Sequence, residues 1–74
     1  MERAEERAVL ARALASLPPD DREVLVLRDL EGLDGPHVAE LLGLPLPTMK
    51  TRLHRARLRF AASLRHGGLD ADGS

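Results

Sequence analysis

Residues 44–66 read LPLPTMKTRLHRARLRFAASLRH, and this stretch decides the fold of the chain. On a helix that turns about 100° per residue, its apolar side chains form one narrow stripe. That stripe consists of Met49, Leu53, Ala56, Phe60 and Leu64. The same stretch holds six Lys or Arg residues and no Asp or Glu. It therefore predicts a long helix with three kinds of surface: an apolar back that packs on a core, a polar front, and basic edges. Such a helix is suited to the major groove of DNA.

Charge is divided unevenly along the 74 residues. Residues 1–44 carry a net charge of −5, residues 45–66 carry +6, and residues 67–74 carry −2, which leaves −1 overall. Because binding to a polyanion follows the local field, this segregation favours a nucleic-acid contact at the basic helix. The low total predicts only modest non-specific affinity for DNA.

Composition excludes several classes of function. The chain is long enough for one domain, and without cysteine it can form neither a disulfide framework nor a thiolate metal site. No apolar run is long enough to span a bilayer, and no signal-peptide core follows Met1, so we expect a soluble, cytoplasmic protein with no membrane partner.

Candidate catalytic and metal-binding residues are few. The histidines (His37, His54, His66) do not share the spacing of a metal site, so we expect no metal and no cofactor. Asp20 and Asp21 are adjacent and would point apart on a helix, where a role at the helix start explains them. With no nucleophile paired to them and no phosphate-binding loop, we expect no enzyme and no small-molecule substrate.

Before the basic helix, the chain reads as three shorter helices. The first runs over residues 3–17, rich in Ala, Leu, Glu and Arg, with an apolar face that includes Leu10, and Pro18-Pro19 breaks it. The second begins near Pro19 and runs through Leu30 to the glycines at 32 and 35. The third is short, with Asp34 as its N-cap.

The connection between the third and fourth helices has the signature of a helix-turn-helix. Ala39 supplies the small residue needed where the helices approach, Gly43 suits a left-handed turn, and Met49 is the first inward-facing residue of the second helix. An ordinary helical hairpin is the alternative. The predicted fold is all-α: a small four-helix domain over residues 1–66 with a C-terminal helix-turn-helix, of the winged-helix-like DNA-binding class without a wing. A disordered tail is predicted over residues 67–74.

Several motifs resemble region 4 of bacterial sigma factors, and most of all the extracytoplasmic-function (ECF) group. They are LP at 17–18, REVL at 22–25, LR at 27–28, VAELLGL at 38–44 and TMKTRLHRAR at 48–57. The last run is the most specific, and the resemblance extends over about residues 13–64. It implies a non-catalytic domain that binds the promoter −35 element and docks on the β flap of core RNA polymerase. It also implies an anti-sigma factor as a candidate partner.

The resemblance also assigns residues to DNA binding: Thr48, Lys50, Thr51, Arg52, His54, Arg55, Arg57 and Arg59. By position in the motif, the base-proximal candidates are Lys50, Thr51, His54 and Arg55. The remaining arginines would contact the DNA backbone or form ion pairs within the domain. Thr51 could contact a thymine through its methyl group or bond back to its own helix.

The chain departs from the family pattern at His37, at Leu58 on the outward face, and at Pro45 and Pro47. Because proline cannot cap a helix as serine does, the fourth helix is expected either to begin at Thr48 or to be poorly capped. Three alternatives stay open at this point: a LuxR-type output domain, a module whose main partner is a protein, and a four-helix domain with no nucleic-acid role. The sequence does not decide between an excised fragment and a stand-alone domain.

Overall fold

The computed structural model describes the backbone of residues 2–71 and the side chains of residues 4–66. Within that range the chain is helical, with no strand. The elements are α1 (Glu2–Ala15), α2 (Pro19–Leu25), a π-helical segment (Val26–Leu30), α3 (Gly35–Leu42) and α4 (Leu46–Ala71). The predicted all-α fold with four helices is confirmed. None of the helices in the described range is long and apolar enough to cross a membrane.

Helix α1 packs on α4 through fewer side chains than its composition suggested. Ala13 and, just after the helix, Leu17 are buried, and Leu14 is half-buried against the core. Leu10, predicted on the apolar face, is 42% exposed. Among the described elements α1 packs chiefly on α4, and one neighbouring helix covers only a narrow stripe, so this part of the apolar face is not buried. The hydroxyls of Ser16 and Ser63, 2.8 Å apart, add a polar contact between the two helices.

The second predicted helix divides into an α-helical and a π-helical part. Pro18 is the N-cap residue of α2, and no side chain caps this helix, so Asp20 and Asp21 do not act as caps. The backbone continues from Leu25 into the π-helical segment without leaving helical dihedrals. The N–H of Glu31 donates to the carbonyl oxygen of Val26 at 2.8 Å, which is an i to i−5 bond.

Helix α3 begins and ends as predicted. The Asp34 side chain accepts a hydrogen bond from the N–H of His37 at 2.8 Å and so caps the helix. Gly43 adopts φ 67° and ψ 34°, the left-handed conformation that L-residues adopt only with strain. The N–H of Leu44 then reaches back to the carbonyl of Ala39 at 2.9 Å, which closes the helix end.

Helix α4 begins earlier than its prolines suggested. It starts at Leu46, not at Thr48, because Pro47 occupies the first turn, where the missing N–H has no intrahelical partner in any case. The carbonyl of Pro45 accepts from the N–H of Met49 at 3.0 Å. The helix also continues past His66 to Ala71. Residues 72–74 of the predicted disordered tail lie outside the described residues, and disorder over 67–74 stays a prediction.

The core lies where α2, α3 and α4 meet. Its largest fully buried apolar side chains are Met49, Val24 and Val38, and Ala56 has no exposed surface. The inward stripe predicted for α4 is thus confirmed at Met49, Leu53 and Ala56. Phe60 packs against the core but is only partly buried. The result fixes one side of α4 against the domain and leaves the other side open.

Candidate nucleic-acid interface

The helix-turn-helix is built by α3, the Gly43 turn and α4. Ala39 on α3 and Met49 on α4 are 5% and 1% exposed, so the two helices meet through the residues that the sequence singled out. Because Met49 faces inward near the start of α4, the residues next to it in the sequence face away from the core. The first half of α4 therefore presents a continuous exposed surface next to the turn.

This exposed surface, which we call the front, contains Lys50, Thr51, His54 and Arg55. Thr48 lies beside it at the start of the helix and is also exposed. The hydroxyl of Thr51 donates to the carbonyl oxygen of Pro47 at 3.1 Å, which leaves its methyl group and its oxygen lone pairs for a partner. The structure thus brings the base-proximal candidates together on one face.

Arg57 belongs to one edge of α4 and is engaged within the domain. Its Nη2 and Nε donate to the two carboxylate oxygens of Asp29, at 2.6 and 2.8 Å. This hydrogen bonding lowers the pKa of Asp29 below its usual value and raises that of Arg57, and the charges of Arg57 and Arg28 act on Asp29 in the same direction. A two-point pair of this kind ties α4 to the π-helical segment.

The opposite edge of α4 faces the start of α2. There Asp21, only 2% exposed, accepts a hydrogen bond from Arg59, and its other oxygen lies 4.0 Å from Nε of Arg55. Asp20 lies on the surface, 3.8 Å from Arg52. The two adjacent carboxylates do point apart, as predicted, yet both face arginines of the same helix.

Apart from Thr51, which bonds to its own helix, the predicted DNA-binding residues separate into two groups. Lys50, His54 and Thr48 make no ion pair or side-chain hydrogen bond within the described residues, whereas Arg52, Arg55, Arg57 and Arg59 each lie near a carboxylate. Sequence reasoning missed Asp20, Asp21 and Asp29 as their partners. The uneven distribution of charge along the sequence could have indicated these partners, because an acidic first half that packs on a basic helix brings opposite charges together.

A shallow groove runs between the start of α3 and the front. It is lined by Gly35, Pro36, Lys50, His54, Arg57 and Arg28. Arg28, on the π-helical segment, was not among the predicted site residues, although it adds a cation at the edge of this groove. Gly35 matters here because a Cβ at that position would meet the Met49 methyl at 3.2 Å. Lys50, Arg57 and Arg28 thus give the groove a basic side, next to the apolar side chains of Leu46, Met49 and Leu53.

No set of His, Cys, Asp or Glu side chains among the described residues is arranged to hold a metal ion. The histidines at 37 and 54 are both exposed and lie on different helices. The arrangement offers hydrogen-bond donors and positive charge on a convex helix, which is a surface for recognition.

Comparison with known proteins decides the family. Residues 7–60 match the family described as "Sigma-70, region 4". The chain belongs to the sigma-70 region 4 family. The matched range contains all of α2, α3 and the front of this region 4 domain, while α4 continues beyond it over residues 61–71. The assignment also favours sigma region 4 over the LuxR-type alternative left open above.

Curated relatives of this region 4 domain include ECF sigma factors. It is 46% identical over 50 residues to the ECF RNA polymerase sigma factor SigE of Mycolicibacterium smegmatis, an alignment that covers 68% of this chain and 20% of that protein. It is 39% identical over 66 residues to the RNA polymerase sigma-E factor of Streptomyces antibioticus, covering 89% of this chain and 37% of the relative. For the ECF RNA polymerase sigma-E factor of Escherichia coli K12, the identity is 38% over 51 residues, covering 69% and 27%. The chain thus spans about a fifth to two fifths of the length of these relatives.

Proposed function

We propose that this region 4 domain recognises the −35 element of promoters and so directs RNA polymerase in transcription initiation. The observation that supports this most strongly is the exposed front of α4, held by a helix-turn-helix within the range that matches the family. A helix of this diameter fits the major groove of B-DNA, where base edges carry a distinct pattern of donors and acceptors. The domain supplies binding and positioning, with no catalytic step.

Within the front, the residues take different roles according to their surroundings. Lys50 and His54 have donors that no group in the described structure occupies, so they are the first choice for base contacts. Arg55 is half-exposed and only loosely near Asp21, which leaves it within reach of a guanine or a phosphate. Thr51 offers its methyl group to a thymine, since its hydroxyl hydrogen is used by Pro47.

The edges of α4 suit the backbone of DNA. Thr48 and Arg52 lie on one edge and Arg57 on the other, so a helix seated in the groove brings them toward opposite phosphate strands. Arg57 and Arg59 are engaged by carboxylates of the domain. We therefore assign them a supporting role, in which these ion pairs hold α4 in place.

The test is binding of the chain to a pool of labelled −35-like duplexes against random duplex, followed by fluorescence anisotropy on the selected sequence. A preferred sequence is expected for the wild type, with Lys50→Ala and Arg55→Ala each losing about 1–3 kcal/mol of discrimination between the selected and random sequences. Arg7→Ala is the matched control, because Arg7 is an exposed arginine on α1, away from the front. It should leave the sequence preference unchanged.

A second outcome would redirect the proposal. If no duplex is preferred even at low salt, and the two front variants behave as the Arg7 control does, base reading by the front is wrong. The domain would then act mainly through proteins, either the β flap of core polymerase or an anti-sigma factor. The exposed side chains of Leu30, Leu41 and Leu58, each more than half-exposed, offer apolar contacts for such partners. Action with RNA polymerase would place the domain in the cytoplasm.

A further inference from the structure

The edge of α4 that faces α2 carries three arginines opposite two carboxylates. Arg52 and Arg59 lie along this edge, Arg55 lies where the edge meets the front, and Asp20 and Asp21 lie at the start of α2. Edge arginines of a DNA-reading helix are the groups that neutralise phosphates. Here the same groups already have anionic partners inside the domain.

The two carboxylates differ in how firmly they hold their arginines. The side chain of Asp21 is 3% exposed, so it has almost no access to water, and Arg59 is its hydrogen-bonded counter-charge. If Arg59 moved to a phosphate, the buried carboxylate would lose its hydrogen-bonded partner and keep only Arg55, 4.0 Å away, which is unfavourable. Asp20 is 75% exposed and 3.8 Å from Arg52, so water can replace that arginine at little cost.

We propose that Asp20 and Asp21 restrain the arginines of this edge and thereby limit the number of DNA phosphates that α4 neutralises. Asp21 withholds Arg59 and draws Arg55 toward the domain, while Asp20 acts more weakly on Arg52. This inference rests on the proposed function, because it requires that α4 lies against DNA. Helix α2 would thus control the salt-dependent part of the affinity of the domain for DNA without contacting DNA itself.

The consequence for binding is specific. The logarithm of the affinity of a protein for duplex DNA falls linearly with the logarithm of the salt concentration, with a slope of about 0.9 for each phosphate neutralised. An arginine held by a carboxylate of the domain adds nothing to that slope, whereas a released arginine that neutralises a phosphate adds about 0.9 to it. The slope therefore counts released arginines, whereas a general loss of folding would lower affinity without raising the slope.

The experiment measures this slope on random duplex for the wild type, Asp20→Asn, Asp21→Asn and Glu23→Gln. Glu23 is exposed on the same helix and forms no ion pair with any described residue, so Glu23→Gln makes the same change in net charge without releasing an arginine. We expect the slope to rise by about 0.9 for each arginine that gains a phosphate in the two Asp variants. Glu23→Gln should keep the wild-type slope.

Three further variants identify which arginine is responsible. Adding Arg52→Ala to Asp20→Asn should bring the slope to the wild-type value or below it, because Asp20 holds Arg52 only weakly. Adding Arg59→Ala to Asp21→Asn should lower the raised slope by one contact. Arg59→Ala alone should leave the wild-type slope unchanged, because a withheld arginine has no phosphate to lose. Circular dichroism verifies that each variant is folded. Should Asp21→Asn fail to fold, Arg59→Ala alone still tests the proposal, because a slope lowered by one contact would show that Asp21 does not withhold Arg59.

The outcomes separate this inference from the proposed function. Equal slopes for Asp20→Asn, Asp21→Asn and Glu23→Gln would overturn the inference, even if the wild type prefers a −35-like sequence. Raised slopes in a protein that prefers no sequence would support the inference and reject sequence reading. Absence of binding by every variant, on any duplex at low salt, would overturn both.

Discussion

Arg57 of α4 binds both carboxylate oxygens of Asp29, with N–O distances of 2.6 and 2.8 Å. The side chains are 49% and 31% exposed, so solvent screens the pair, but its two-point geometry is better than that of a typical surface ion pair. It joins the helix that carries the front to the π-helical segment, and its two residues are 28 positions apart in the sequence. Its main effect should therefore be on the stability of the domain.

Breaking this pair should be measurable as a coupling energy. Arg57→Ala and Asp29→Ala are each expected to lower the free energy of unfolding by about 1 kcal/mol, and the double variant should lose less than the sum. Urea unfolding followed by far-UV circular dichroism provides the values for a double-mutant cycle. Strictly additive losses would show that the two side chains do not stabilise each other in solution.

The same pair predicts a pH dependence of stability. Because the pKa of Asp29 is lowered in the folded domain by its bond to Arg57, the folded state holds its proton less tightly than the unfolded state does. The stabilisation is therefore complete above the ordinary carboxyl pKa of 3.8 and is lost as the pH falls through the lower folded value. Asp29→Asn should flatten the fall in stability below that pH, whereas Glu23→Gln should leave it unchanged. Identical acid unfolding curves for wild type and Asp29→Asn would contradict this prediction.

The turn between α3 and α4 should be sensitive to the residue at position 43. A Cβ on Gly43 would meet no atom within 4 Å, so the cost of Gly43→Ala comes from the left-handed backbone alone. We expect a loss of about 1–2 kcal/mol in the free energy of unfolding for Gly43→Ala, and a smaller loss for Gly43→Asn, because asparagine tolerates this conformation better. Thermal unfolding of the two variants side by side tests the ranking, and equal losses would rule out this explanation.

The cap of α3 provides a second local test. Asp34→Ala removes the acceptor of the 2.8 Å bond from the N–H of His37 and should cost about 1 kcal/mol. Asp34→Asn keeps an acceptor oxygen at the same place and should cost less. Urea unfolding of both variants measures the difference. If the asparagine variant is as unstable as the alanine variant, the charge of Asp34 and not its capping bond is what stabilises α3.

Inward and outward positions of α4 should respond very differently to truncation. Met49→Ala is expected to lose about 2–5 kcal/mol, because the side chain is 1% exposed and fills the space between α3 and α4. Leu58→Ala, at a position 58% exposed on the same helix, should change stability by less than about 0.5 kcal/mol. Unfolding of the two variants under identical conditions checks both values. A large loss at Leu58 would mean that this face is covered in solution.

Local sequence signals predicted the helix-turn-helix well. Asp34, Ala39, Gly43 and Met49 all occupy the places expected of them, because caps, glycine turns and helical periodicity depend on neighbours within a few residues. Of the two alternatives for the start of α4, a beginning at Thr48 was wrong, because the helix begins at Leu46. A proline in the first turn is compatible with a helix, and the sequence gives no sign of where within that turn it lies.

The ion pairs could not be predicted in the same way. Asp21 and Arg59 are 38 residues apart, and which acid meets which arginine depends on how α2 and α4 cross. The π-helical segment was also missed, since one widened turn of five residues barely alters the hydrophobic pattern. The sequence therefore identified the basic helix and its faces, while the separation of its arginines into engaged and available groups required the three-dimensional arrangement.

The π-helical segment has a consequence for how this domain compares with others of its kind. A π turn accommodates one residue more than an α turn, and here Val26–Leu30 lies between α2 and the glycine at 32 without any break in the helix. Loss of a single residue in this segment could convert the wide turn into an ordinary one while both ends stay in place. A one-residue gap in a sequence alignment at this point would thus mark a change from a π turn to an α turn. An alignment that allows gaps only in loops would place this gap at the wrong position.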